Sequence, residues 1–274
     1  MINHNEDRTD FYTVKYASFG SDVAIALRRE VFGEDIGQQG WRTAGEQAEI
    51  AEFAGIGKTS HVLDICCGSG GPSLALVERT GCRLTGIDRE TAGITHAQAQ
   101  ASARRLSDRA TFSVGDCAGV LPFEDSSFDV VLCIDAISHL PKRFETLREW
   151  TRLLRHRGRV VFTDNAVITG EIAKSELDLR TAIGFFLFVP PGFNEEAIKA
   201  AGLTLLRCDD TTAAVAEIGA RMCSARLRHA SALQQEEGAD GFQERQGLYT
   251  IAAELTKSRR LSRFLYVAEK TGPA

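Results

Sequence analysis

From residue 61 onward, short apolar runs recur between longer stretches of mixed, helix-like character. Runs of this length bounded by turn residues read as strands rather than buried helices. They fall at 61–65, 83–88, 111–114, 128–134, 159–164, 203–208 and 263–269, and helical segments are predicted at 72–79, 92–106 and 143–154. Strands that alternate with helices predict an α/β fold: a mostly parallel, Rossmann-like sheet of seven strands with helices on both faces.

The first of these strands runs directly into a glycine turn, Cys66-Cys67-Gly68-Ser69-Gly70-Gly71-Pro72. Glycines there remove the Cβ atoms that would hold a ligand off the backbone, and Pro72 suits the first turn of a helix. The second strand ends on Asp88, at the spacing where nucleotide-binding α/β folds set a carboxylate against two ribose hydroxyls. Asp116 and Cys117 follow the third strand, and Asp135 to Leu140 follow the fourth. Ligands in such sheets sit beyond the carboxyl ends of the strands, so these polar ends define one crevice. A nicotinamide-dependent oxidoreductase is the rival reading. Its G-x-G-x-x-G fingerprint wants a third small residue of the glycine or alanine kind, and Ser73 stands there instead.

Composition narrows the partners. With 37 acidic residues against 32 Lys plus Arg, no broad basic surface is available for nucleic acid. Seven cysteines scattered over strands and helices predict free thiols in a reducing compartment, hence a cytoplasmic location. No histidine stands at zinc spacing from Cys66-Cys67, so no metal is expected. The first ten residues are polar and no apolar run approaches membrane-spanning length, so no membrane association is expected.

On these motifs the chain resembles the class I S-adenosylmethionine (SAM) methyltransferases along nearly its whole length. The resemblance implies that the last strand is antiparallel and inserted beside the sixth. It also implies SAM as cofactor, a small-molecule methyl acceptor, and contacts to SAM from Asp64, Gly68, Gly70, Asp88, Arg89, Asp116, Cys117 and Ile134. Gln38 and Trp41, in a glycine-bordered turn of the leader, are expected to join them. One departure is Cys66, where the family usually has glycine.

The implied organisation is a helical leader or cap at 1–57, a SAM-binding core at 58–210 with an apolar insertion near 166–192, a helical insertion at 211–258, and the last strand and tail at 259–274. Within the family, Asp135-Ala136-Ile137 with His139-Leu140 after the fourth strand looks like the phosphoethanolamine methyltransferases and related small-molecule enzymes. That likeness makes His139 the catalytic residue, acting as a base near its ordinary pKa of about 6.5. Tyr16, Asp135, Phe185, Phe186 and Phe188 are then the acceptor-contacting candidates. Those phenylalanines stand where the subgroup binds phosphate, which argues against a phosphobase and for a partly apolar acceptor.

Overall fold

A computed structural model describes residues 10–271; residues 1–9 and 272–274, the outer ends of the leader and of the last segment, lie outside the described residues. Seven strands form one sheet in the order β3-β2-β1-β4-β5-β7-β6. They are β1 His61–Ile65, β2 Arg83–Asp88, β3 Ala110–Val114, β4 Phe128–Cys133, β5 Leu154–Ile168, β6 Leu203–Asp210 and β7 Leu261–Lys270. Strands β1 to β5 pair in parallel, and β7 runs antiparallel between β5 and β6, as the family resemblance implies.

The apolar runs explain the layering. Side chains of a strand alternate between faces, and here both faces are buried. Leu63, Ile65, Val131, Cys133, Val160 and Phe162 point to one core with Leu147, Trp150 and Leu153 of helix α6 (Arg143–Leu153) and Ile198 of α8 (Phe193–Ala200). Val62, Leu84, Val130, Leu132 and Val161 point to the other. There they meet Ile50 of α3 (Ala44–Ala54), Leu74 and Val77 of α4 (Gly71–Thr80), and Ile94 and Ala97 of α5 (Thr91–Ala103). Trp150 is fully buried, and truncating such a side chain costs about 3–5 kcal/mol.

Several boundaries differ from the sequence expectation, most of all in β5, which starts at Leu154 rather than 159. Strand β5 continues beyond 164, because a register shift after Asp164 restores pairing of Val167 with Ser262 and Ile168 with Leu261. Helix α5 stops at Ala103 rather than 106; Arg105 takes a left-handed φ of 58° and the Leu106 N–H folds back onto the Ala101 carbonyl.

Above the carboxyl ends of the strands, segments distant in sequence make one cap. The leader contributes α1 (Asp10–Ala17) and α2 (Asp22–Phe32), and the segment after β5 contributes α7 (Lys174–Arg180). Residues 211–258 form α9 (Thr212–Arg228), α10 (Ala230–Glu237) and α11 (Ala239–Lys257). Helix α2 packs Leu27, Val31 and Phe32 against Ile218, Met222 and Ala225 of α9. Glu30 of α2 also holds Arg228 and His229 at the end of α9. The cap is therefore tied to itself as well as to the sheet.

Candidate active site

Between cap and sheet lies a cavity of about 300 Å³. Its floor is the strand ends: Cys66 to Ser69 after β1, Asp88 to Glu90 after β2, Ile134 to Ala136 and His139 after β4, and Asn165 near the end of β5. Its roof is the cap: Tyr12, Lys15, Tyr16 and Gln39 to Arg42 from the leader, Arg180 and Ile183 to Phe186 after β5, and Leu248, Tyr249 and Ala252 from α11.

The glycine turn closes one end. Cys66, Gly68 and Gly70 all adopt left-handed backbone, with φ of 58°, 58° and 72°. A Cβ on Gly68 would lie 2.6 Å from the Tyr16 hydroxyl, so only glycine admits the tyrosine so close to the backbone. Gly68 N–H donates to Asp88 Oδ2 at 2.8 Å and Glu90 N–H to Oδ1 at 2.9 Å. Burial pushes the Asp88 carboxyl pKa up against these two N–H groups, and it makes no ion pair among the described residues. A buried carboxylate with spare lone pairs and no cation suits a pair of hydroxyl donors, which is the chemistry a ribose offers. Asp64 is also buried, but its carboxylate accepts from Ser73 Oγ at 2.5 Å; it fixes the first turn of α4 and does not line the cavity.

At the other end, Tyr12 Oη lies 3.1 Å from His139 Nε2 and His139 Nδ1 lies 2.8 Å from the Phe185 carbonyl. A carbonyl only accepts, so Nδ1 carries the proton and Nε2 accepts from the Tyr12 hydroxyl. Burial beside Phe186, whose ring centroid is 4.4 Å away, pushes the His139 pKa down to about 4. The expectation of an imidazole titrating near its ordinary value is corrected accordingly: His139 is neutral and anchored at both nitrogens.

Asp135 lines the cavity floor, and its carboxylate also ties the frame together. It adopts φ of 59°, and its carboxylate accepts from Trp41 N–H at 2.7 Å, Thr163 Oγ1 at 3.0 Å and Arg263 Nε at 2.6 Å. Arg263 in turn holds both oxygens of Glu46 in α3, at 2.6 and 3.1 Å. Leader, β4, β5 and β7 thus meet at one buried acid. Burial works to raise its pKa, but Arg263 and the other donors hold it below the ordinary carboxylate value.

The remaining sequence candidates separate by geometry. Arg89, Ile134, Trp41, Tyr16, Phe185 and Phe186 line the cavity. Gly70 faces Ala97 and Phe112 instead, setting how closely α5 and β3 approach the turn. Asp116 is exposed and accepts from Ala118 N–H, while the Cys117 thiol points at the Ile87 carbonyl beneath the floor, so neither lines the cavity. The Gln38 amide turns into its own loop, bonding Ile36 N–H and the Glu34 carbonyl at 2.8 Å each, and its neighbour Gln39 takes the place at the wall. Phe188 packs behind the wall with Ile251, Leu255 and Leu261. Cys66 lines the cavity and packs against the lower core.

Sequence reasoning missed Tyr12, Arg180 and Tyr249, and it did not separate Gln39 from Gln38. Tyr12 had a readable signal: it stands four residues before Tyr16 in α1, on the same helical face. Arg180 and Tyr249 are brought to the wall only by packing of the cap.

Residues 62–158 match the family model described as a methyltransferase domain. The sterol 24-C-methyltransferase of Schizosaccharomyces pombe is 31% identical over 74% of this chain and 53% of its own length, so the chain spans about half of that relative. Among solved structures, phosphoethanolamine N-methyltransferase 2 of Haemonchus contortus, in complex with phosphomonomethylethanolamine and S-adenosylhomocysteine, superposes with a TM-score of 0.79 at 18% identity, over 95% of this chain and 60% of that one. The [4+2]-cyclase SpnF superposes at 0.73 and 20% identity over 96% of both chains. At those identities the superpositions speak for the fold alone, and the family match over residues 62–158 makes that stretch a methyltransferase domain of the class I SAM-dependent kind.

Proposed function

We propose that this chain transfers a methyl group from SAM to an oxygen, nitrogen or carbon atom of a small, partly apolar metabolite. The observation that carries the reading is one cavity joining the glycine turn and Asp88 at one end to the Tyr12–His139 pair at the other. SAM, when bound, supplies a methyl group already activated on a sulfonium sulfur. What is left to the protein is binding, alignment and exclusion of water.

Asp88 would hold the ribose hydroxyls, with Gly68 and Tyr16 closing the turn over the rest of the cofactor. Trp41, Phe186 and Tyr249 would enclose the acceptor and exclude water. An acceptor hydroxyl or ammonium must lose a proton, and Tyr12 Oη takes it as the tyrosine's own proton passes to His139 Nε2. At a pKa of about 4, charging His139 at pH 7 costs about 4 kcal/mol. That is a modest part of the roughly 16 kcal/mol barrier of an ordinary enzyme turning over about ten times per second. The pair therefore works as an oriented relay. The seven free cysteines support the cytoplasmic location expected from the sequence.

A screen of metabolites for S-adenosylhomocysteine formation tests the reading. An acceptor is expected that releases it with wild-type protein and about 10²- to 10⁴-fold more slowly with His139→Ala, SAM affinity being unchanged. Tight SAM binding without product from any hydroxylated, amino or enolic acceptor would instead favour a non-transfer role on this fold.

A further inference from the structure

Arg180, the last residue of α7, is 4% exposed and lines the cavity between Tyr12 and Tyr249. Its guanidinium carbon stands 4.2 Å from the centroid of the Phe186 ring. Its Nε is buried without a hydrogen-bond partner, and among the described residues Arg180 forms no ion pair. That is unusual here: the other buried arginines are compensated, Arg143 by Asp164, Arg226 by Glu237 and Arg263 by Asp135 and Glu46. An isolated charge out of water is costly unless something charged comes to meet it. Burial accordingly draws its pKa down to about 10, still cationic at neutral pH.

We propose, on the footing of the methyl-transfer reading, that the acceptor is an amphipathic carboxylic acid whose carboxylate pairs with Arg180 while its apolar body lies against Phe186 and Tyr249. Three observations select this chemistry. A guanidinium edge matches a planar carboxylate with two parallel hydrogen bonds. The other cations of the wall are engaged: Arg42 donates to Gln47 at 2.7 Å, Lys15 to the Gln39 carbonyl at 3.2 Å, and Arg89, 70% exposed, pairs with Glu90. Arg180 is thus the buried cation of the wall with neither hydrogen-bond nor ion-pair partner among the described residues, which a carboxylate can meet; a phosphate dianion would bring more negative charge into a cavity that already holds Asp88.

The test uses protein saturated with S-adenosylhomocysteine, whose binding is measured first by calorimetry, and three probe pairs: benzoate, phenylacetate and hexanoate, each against its primary amide. At least one carboxylate is expected to bind tenfold or more tightly than its amide, and Arg180→Met is expected to abolish that preference with S-adenosylhomocysteine affinity unchanged. The variant is also expected to melt at or above the wild-type temperature, since it removes an uncompensated buried charge and keeps an apolar stem. Absence of S-adenosylhomocysteine binding would overturn the functional reading itself. Intact binding with no carboxylate preference in wild type, a preference that survives in the variant, or phenyl phosphate outcompeting every carboxylate would overturn the carboxylate assignment alone. Should Arg180→Met fail to fold, Arg180→Lys and the wild-type carboxylate-to-amide ratio decide the question.

Discussion

Lowering the pH from 7 to 4.5 probes the neutral state of the half-buried His139 without any acceptor. The imidazole is enclosed by Tyr12 and Phe186 and donates from Nδ1 to the Phe185 carbonyl; burial, its largest influence, drives its pKa down to about 4. In the unfolded chain it titrates near 6.5, so between about 6.5 and 4 the unfolded state takes up a proton that the native state refuses. Stability from this group is therefore complete above about 6.5 and is lost as pH falls through that window. At about 1.4 kcal/mol per pH unit the full loss is about 3 kcal/mol, most of it realised by pH 4.5. Denaturant unfolding of wild type and His139→Gln at both pH values isolates the effect, because the other titrating groups cancel in the difference. The wild-type advantage should shrink by about 2–3 kcal/mol at the lower pH. In NMR titration of the imidazole carbons, the signal absent from His139→Gln should move near pH 4. A midpoint at or above 6, or a stability difference independent of pH, would show a solvated imidazole and refute the anchored geometry.

Two further outcomes follow from contacts in the cavity and core. Tyr12→Phe removes the hydroxyl bonded to His139 Nε2 and should slow turnover about 10- to 10³-fold with SAM affinity unchanged, as read from S-adenosylhomocysteine release and calorimetry. Arg143→Met should cost about 3–5 kcal/mol in urea unfolding, since it strands the fully buried Asp164 carboxylate, which would keep only its neutral donors such as Asn194.

Much of the frame was legible because it is written locally. Each strand of a buried parallel sheet is a short apolar run, and the turn from β1 into α4 is spelled by glycines and a proline. Asp88 and His139 were readable as strand-end residues for the same reason. What was not legible depends on contacts between distant segments. The structural part of Asp135 was hidden because nothing near it shows that Arg263, 128 residues later, would bond its carboxylate. Gln38 and Gln39 are adjacent and chemically alike, and only the path of the leader loop decides which amide reaches the wall. Arg180 sits in an ordinary polar helix, Lys-Ser-Glu-Leu-Asp-Leu-Arg, and becomes distinctive only once the cap buries it. The ordinary pKa assigned to His139 failed likewise, since its burial comes from Phe186 and the leader tyrosine rather than from its own strand end.

Calorimetric titration of SAM into wild type and Asp88→Ala tests the central claim most directly. The buried carboxylate holds the Gly68 and Glu90 N–H groups at its inner side, so its remaining lone pairs are the acceptors available to the ribose. Wild type should bind one SAM per chain, and the folded variant should bind it about 1–3 kcal/mol more weakly, as expected for losing a charged hydrogen-bond acceptor from a buried site. No binding of SAM by wild type, or equal affinity in a variant whose circular dichroism and melting are native-like, would contradict the account.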